Sequence, residues 1–371
     1  MENCIMVGCD LHDATMLLKV GVGRGAPEKL EYATAQSGRQ AMIQELKKQA
    51  KSLGGAKVYF AYEASALGFG LYDELTEAKM TCYVLAPSRI ERSPHQRRRK
   101  TDEKDAERLL DLVRGHVLAG NPIPAVWVPD AQTRDDREVV RARIDAVEKR
   151  TAVKAQIRTL LKRQGTPSSF KGTRGRTKGY WAWLRYLAGS DQGLSAGARV
   201  HLKSLLRQAE ALDQEIAQLD QEVAALAETE RYAEPVGEMI MIRGVGLLTA
   251  MVFLTEMGDL SRFRNRKQIG AYLGLVPSSH ESGEQDDRKG HITGQGSPRV
   301  RMILNQATWI WIRYDPEAKA LYERIAAKNP KHKKIALVAM MRHLAIRLWH
   351  AGQEAQRRAG LFQRRPTEAA A

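Results

Sequence analysis

Apolar residues fall in short, dense blocks over the first 115 positions and in long helical repeats after that. The blocks "CIMVGCD" (4–10), "AKVYFAYEA" (56–64) and "TCYVLAP" (81–87) have the length and composition of strands. The run "IMVGCDLHDATMLLKVGV" (5–22) predicts two strands joined by a polar turn at "LHDA". Between the blocks, "GRQAMIQELKKQAKSL" (38–53) puts Met42, Leu46 and Leu53 roughly on one helical face. "GFGLYDELTEAKM" (68–80) predicts a second helix and "KTDEKDAERLLDLV" (100–113) a third. The order predicted over residues 1–120 is β-β-(β)-α-β-α-β-α.

That order is the one of a ribonuclease-H-like domain, in which central strands deliver side chains to one edge and a later helix closes the site. Four acids fall at those places. Asp10 ends the first strand, Glu63 ends an apolar strand, and Asp102 and Asp105 share one face of the third helix at i, i+3. Mg²⁺ takes oxygen ligands, and a pair of such ions clamps the attacking and leaving oxygens of a phosphate. Each acid also has a plainer role: a turn residue at Asp10, a complement to the helix dipole at Asp102 and Asp105. Glu63 is the sharpest of the four, because it follows Val58, Phe60 and Tyr62, where an unpaired carboxylate is costly to bury. Glu103 and Glu107 serve as comparators from the same helix.

Charge supports a polyanionic partner. The 371 residues carry a formal net charge of +16, which favours nucleic acid. No stretch of about 18 uncharged apolar residues suggests a membrane span, and no signal peptide is read at the N-terminus, so the expected location is cytoplasmic. Three cysteines, Cys4, Cys9 and Cys82, lack zinc-like spacing and are too few for a disulfide scaffold. Two basic segments are expected to hold phosphates: Arg97, Arg98, Arg99 and Lys100 just before the acidic helix, and Lys171, Arg174, Arg176 and Lys178 in "SSFKGTRGRTKGYWAWLRYLAG". The aromatics that follow the second, Tyr180, Trp181, Trp183 and Tyr186, suit either base stacking or a core.

"NPIPAVWVPD" (121–130) marks a domain boundary. A helical region spans 131–232, with one helix at about 135–164. A second carries Leu205, Ala209, Leu212, Ile216, Leu219, Val223 and Leu226 in steps of four and three, a heptad seam. The seam is satisfied by an antiparallel hairpin within one chain or between chains; a dimer is the preferred expectation. Residues 236–352 form a mainly helical C-terminal domain. In it "MIMIRGVGLLTAMVF" predicts helix, Gly244-x-Gly246 turn, helix, a helix–hairpin–helix-like element whose turn N–H groups can meet phosphate. Ser282 lies in a polar, loop-like stretch, and residues 353–371 read as a frayed tail. The fold class expected is therefore α/β plus all-α.

The pieces in this order resemble the DEDD-type insertion-sequence transposases, also described as bridge-RNA-guided recombinases. The resemblance rests on "GCDLH", "AYEAS" and "KTDEKDAERL", then "IRGVGLLTAMVFLTEMGDLSRFRNRKQIGAYLGLVPSSHESG" and "GHITGQGSPRVRMIL". It departs from the family at Arg243, Glu284 and Gly294–Ser297, the last removing a lysine. The resemblance implies a Holliday-resolvase-like metal tetrad at Asp10, Glu63, Asp102 and Asp105, and a nucleophilic serine at Ser282, with Ser278 and Ser279 as alternative frames. It further implies two Mg²⁺ ions, DNA as substrate, a structured non-coding guide RNA, and a homodimer or homotetramer. Arg299 and Arg301 complete the expected nucleic-acid contacts. The function expected is transposition through a phosphoserine intermediate. A junction nuclease using the tetrad alone, or a non-catalytic nucleic-acid scaffold, are the alternatives.

Overall fold

The computed structural model describes residues 4–90, 101–166, 177–191, 193–282 and 285–362, with the backbone alone over 279–289. Two compact units divide the chain, one running to Val128 and the other beginning at Pro129. The first unit thus takes in most of the segment 121–130. Ala125 bridges Leu85, the Val126 N–H donates to the Val84 carbonyl, and Val126 and Val128 pack on the first unit's core.

The first unit is built on a five-stranded sheet. Its strands are β1 (Cys4–Leu11), β2 (Thr15–Val22), β3 (Glu28–Ala33), β4 (Lys57–Glu63) and β5 (Thr81–Leu85), in the order β3-β2-β1-β4-β5. β2 runs antiparallel to both β1 and β3, whereas β4 is parallel to β1 and to β5. Among the described residues, three helices accompany it: α1 (Gln36–Ser52), α2 (Gly70–Glu77) and α3 (Asp102–Ala119).

The two-residue period of a strand decides what each face carries. Ile5, Val7 and Cys9 of β1 join Val58, Phe60 and Tyr62 of β4 in the core shared with Met42 and Leu46 of α1 and Leu71 and Leu75 of α2. Cys4 and Met6 of β1, with Tyr59 and Ala61 of β4, point to the opposite face and pack on Leu109, Leu110 and Val113 of α3. By the same alternation Asp10 and Glu63 project on the α3 face. They lie one step beyond the paired residues Cys9 and Tyr62, at the carboxyl ends of adjoining parallel strands. The close packing of α3 requires Gly8, where a Cβ would come within 2.2 Å of the Ala106 carbonyl oxygen and the Leu110 nitrogen.

Among the described residues, the second unit is helical apart from one hairpin. α4 (Ala131–Arg163) and α6 (Ala196–Ala227) form an antiparallel pair, with α5 (Lys178–Gly189) packed against α6. Arg143 pairs with Asp220 at 2.7 Å and Arg150 with Asp213 at 2.6 Å, so seven residues forward along α4 are matched by seven backward along α6. The heptad seam is therefore filled within the chain, and the preference for a seam between chains is corrected. At one end Val153, Ile157 and Leu160 meet Leu184, Leu202, Leu205 and Ala209; at the other Val140, Ile144 and Val223 enter the core of the C-terminal helices. Residues of 131–232 thus share one core with the C-terminal helices and form another among themselves.

The remaining helices are α7 (Ala233–Ile240), α8 (Leu247–Met257), α9 (Arg266–Tyr272), α10 (Pro298–Tyr314), α11 (Pro316–Ala327) and α12 (Lys333–Arg358). α8 is buried from Thr249 to Met257 and forms the centre. α12 continues through residues expected to be a tail. Gln356 is buried, accepts from the Leu260 N–H at 3.0 Å and donates to the Gly258 carbonyl at 3.2 Å. Ser282 ends β6 (Pro277–Ser282), which pairs with β7 (Gln285–Ile292). The stretch read as a loop is a β-hairpin. Its polar sequence has no apolar face to announce it.

Candidate metal centre

Thr101 caps the start of α3, its hydroxyl accepting from the Lys104 N–H, and Gly120, with a φ of 72°, caps its end. Its first turn carries Asp102, Glu103 and Asp105. Only the 3.6-residue period separates their fates. Asp105 is buried with its side chain 11% exposed, and the Arg108 guanidinium donates to it at 2.9 Å. Arg108 also reaches Glu63, at 3.4 Å, so a strand acid and a helix acid share one cation. Asp102 faces the other strand acid through His12, whose Nε2 lies 3.1 Å from Asp10 Oδ2 and 3.5 Å from Asp102 Oδ1.

Glu103 turns away. Its carboxylate pairs with Lys19 on β2 at 2.5 Å and Lys29 on β3 at 3.7 Å, and those cations hold it below the usual carboxylate range. Glu107 is exposed. Glu103 therefore separates from Asp102 and Asp105 by its partners.

Burial pushes the Asp10 carboxyl above its ordinary value; His12 opposes that shift and the nearby charges of Asp102 and Asp105 add to it. Three carboxylates whose charges are felt together make a place where a cation is favoured. Ligand atoms of Asp10, His12 and Asp102 all lie within 4.8 Å of one another. Carboxylate oxygens suit a hard divalent ion, an imidazole nitrogen extends the choice to transition ions, and Arg108 demonstrates that positive charge is accommodated between Glu63 and Asp105. The donor set fits a metal.

His12 and Arg108 were not singled out as site residues in the sequence. His12 stands two positions after Asp10 across a strand end, and Arg108 three positions after Asp105 on its helix face. Those spacings are the signals that could have found them.

The other expected contacts are placed as follows. Arg97, Arg98, Arg99 and Lys100, and Lys171, Arg174 and Arg176, lie outside the described residues. Lys178 opens α5, capped by Thr177. Tyr180 is buried, with Trp181 and Trp183 packed on the same core, while Tyr186 is 66% exposed. Gly244 has a φ of 87° and abuts α10, where a Cβ would stand 2.7 Å from the Ala307 carbonyl oxygen and the Trp311 nitrogen. Gly246 caps α8, with open space where a Cβ would be. Arg299 pairs with Asp145 at 2.8 Å, and Arg301 donates to the carbonyls of Leu273, Gln295 and Gly296. Both guanidiniums are thus engaged within their own unit. Ser282 stands opposite Gln285 at the hairpin end, its side chain outside the described atoms. The Ser278 hydroxyl donates to the His291 carbonyl at 3.1 Å. Among the described residues, no helix is long and apolar enough to cross a membrane.

Carboxylates gathered at the ends of adjoining parallel strands and closed over by a helix define an acidic centre on an α/β sheet. Comparison with known proteins gives the family. Residues 7–165 match a transposase family profile of the DEDD type, and residues 239–323 match the profile described as "Transposase IS116/IS110/IS902 family". The chain belongs to the DEDD-type IS110 transposase family. A Sinorhizobium fredii relative named as transposase y4qE is 34% identical over 286 residues, covering 77% of this chain and 66% of its own length. About a third of that relative therefore lies outside the match. The transposase for insertion sequence element IS1533 of Leptospira borgpetersenii is 26% identical over 310 residues, covering 83% of this chain and 86% of its own length.

Proposed function

We propose that this chain is a DNA transposase that cuts and rejoins strands through a serine-linked intermediate, with a ribonuclease-H-like first unit holding Mg²⁺ at Asp10, Glu63, Asp102 and Asp105. The observation that carries the reading is the meeting of strand and helix acids on one sheet face: Asp10 and Asp102 through His12, Glu63 and Asp105 through Arg108. Family membership supplies the substrate class. The scaffold alternative leaves the pairing of these acids, and the separate pairing of Glu103, without a purpose.

Bound Mg²⁺ would polarise the phosphate and stabilise charge on its oxygens. The protein's part is to hold four carboxylates in place before substrate arrives. Ser282 is the proposed nucleophile: its Oγ–P bond forms as the phosphodiester P–O bond breaks. The leaving strand end departs as a hydroxyl, which balances the proton lost from the serine. A structured guide RNA and a homodimer or homotetramer complete the proposal, both carried over from the family resemblance.

Trapping on DNA carrying the element's ends tests this. A denaturant-resistant protein–DNA adduct is expected with the native chain and Mg²⁺. Ser282→Ala should bind DNA equally well and yield none. Cleavage without any adduct would favour the junction nuclease, and an adduct persisting in Ser282→Ala would move the nucleophile to another residue.

A further inference from the structure

The acidic centre is divided. On one side Asp10 and Asp102 pair, among the described residues, only with His12. On the other side Glu63 and Asp105 are both held by the guanidinium of Arg108. Arg108 is largely buried, with its side chain 16% exposed, and among the described residues its Nε, like those of Arg114, Arg134 and Arg150, is buried with no hydrogen-bond partner. The terminal Nη2 faces carboxylates from β4 and α3 at once, 3.4 Å from Glu63 and 2.9 Å from Asp105.

We propose that Arg108 is a resident cation that occupies the Glu63–Asp105 half of the centre, so that divalent ions load in two steps. The Asp10–His12–Asp102 half fills first. The second half fills only as Arg108 is displaced, because a guanidinium and a divalent ion repel one another and compete for the same oxygens. In the metal-free chain Arg108 keeps Glu63 and Asp105 from repelling each other. It is a positioning residue, acting through those two carboxylates. The inference rests on the reading of the four acids as a divalent-cation site.

Direct Mn²⁺ binding to the full chain, read from the spin-resonance signal of the free ion, tests it without any cleavage assay. The native chain is expected to show two affinity classes. Arg108→Gln removes the charge and should tighten the weaker class by about tenfold, leaving the tighter one unchanged. Arg108→Lys keeps the charge and should bind much as the native chain does. Equal tightening in both variants would make the effect one of shape and overturn the proposal. No tightening in Arg108→Gln would overturn it too. Asp10→Asn tests the underlying reading separately. It should abolish the tighter class, and unchanged Mn²⁺ binding there would sink the metal site itself. If Arg108→Gln fails to fold, nuclear magnetic resonance of the native arginine side chains decides. The Nε–H signal missing from Arg108→Lys should move with the second equivalent of Mg²⁺. Movement complete at the first equivalent would refute stepwise loading.

Discussion

Gly8 of β1 lies against the backbone of α3 so closely that a methyl group on it would stand 2.2 Å from the carbonyl oxygen of Ala106. That approach is what brings the first turn of α3 over the carboxyl end of β1, where Asp10 waits. Backbone cannot rotate aside as a side chain does, so Gly8→Ala must lift the helix. The expected cost is about 1–3 kcal/mol, as for other overpacked sites. Gly70, at the start of α2 with nothing within 4 Å of its missing Cβ, is the control. Gly70→Ala should change stability by less than about 0.5 kcal/mol. Denaturant unfolding measures both. Equal stability in the two variants would show that α3 is not held by this contact.

The cap of α11 gives a prediction with a sign in pH. The Asp315 carboxylate accepts from the Ala318 and Glu317 N–H groups, each at 3.0 Å, and from the Trp311 indole at 3.1 Å. The Ala318 bond chiefly, then those of Trp311 and Glu317, hold its carboxyl below the usual carboxylate range against a smaller opposing effect of burial. A lowered folded-state value means that the contribution is fully present above the unfolded value of about 3.9 and is lost as pH falls through the folded one. Asp315→Ala should therefore cost about 1 kcal/mol at pH 6. The gap to the native chain should stay constant down to about pH 5 and close at lower pH. A gap that widens on acidification would reverse the assignment.

Much of the centre was legible because strand alternation carries it. The apolar runs "CIMVGCD" and "KVYFAYE" place Asp10 and Glu63 at the ends of two strands, and the parallel pairing of β1 with β4 puts both on one face. The i, i+3 spacing does the same for Asp102 and Asp105. His12 and Arg108 were harder, since their roles depend on which neighbours the helix and the strand end bring within reach. The partner of the Leu205–Leu226 seam was not legible, because a heptad repeat specifies a face and not the chain that covers it. The hairpin carrying Ser282 escaped for another reason. "PSSHES" and "QDDRKGHI" contain almost no apolar residues, so neither shows the alternation that marks a strand against a core.

Binding to DNA or RNA should depend steeply on salt. The chain's excess of positive charge includes the two basic segments expected to meet phosphates, Arg97–Lys100 and Lys171–Lys178. Each phosphate neutralised releases condensed counterions and adds about 0.9 to the slope of log affinity against log salt for duplex DNA. Replacing the four cations of either segment with Ala should flatten that slope by up to about 3 or 4. Titrations at several salt concentrations measure it. Unchanged slopes in both variants would remove these segments from the interface.

The sharpest test of the acidic centre compares neighbours one residue apart. Asp102 faces His12 and Asp10, whereas Glu103 faces Lys19 and Lys29 on the outer strands. Asp102→Asn and Glu103→Gln make the same chemical change, one charge lost at nearly constant volume, in the same first turn of α3. If the four acids hold metal, Asp102→Asn should reduce strand cleavage by about 10²-fold or more, since even supporting contacts to a metal ligand are worth 10–100-fold. Asp10→Asn, Glu63→Gln and Asp105→Asn should do likewise. Glu103→Gln should keep near-native cleavage while losing only its pairing with Lys19 and Lys29. Cleavage of a labelled DNA substrate in Mg²⁺, alongside thermal unfolding, separates the two effects. Equal loss of cleavage in Asp102→Asn and Glu103→Gln would mean that general negative charge at this helix start matters rather than a metal site. Retained cleavage in Asp10→Asn would displace the catalytic centre from this sheet edge altogether.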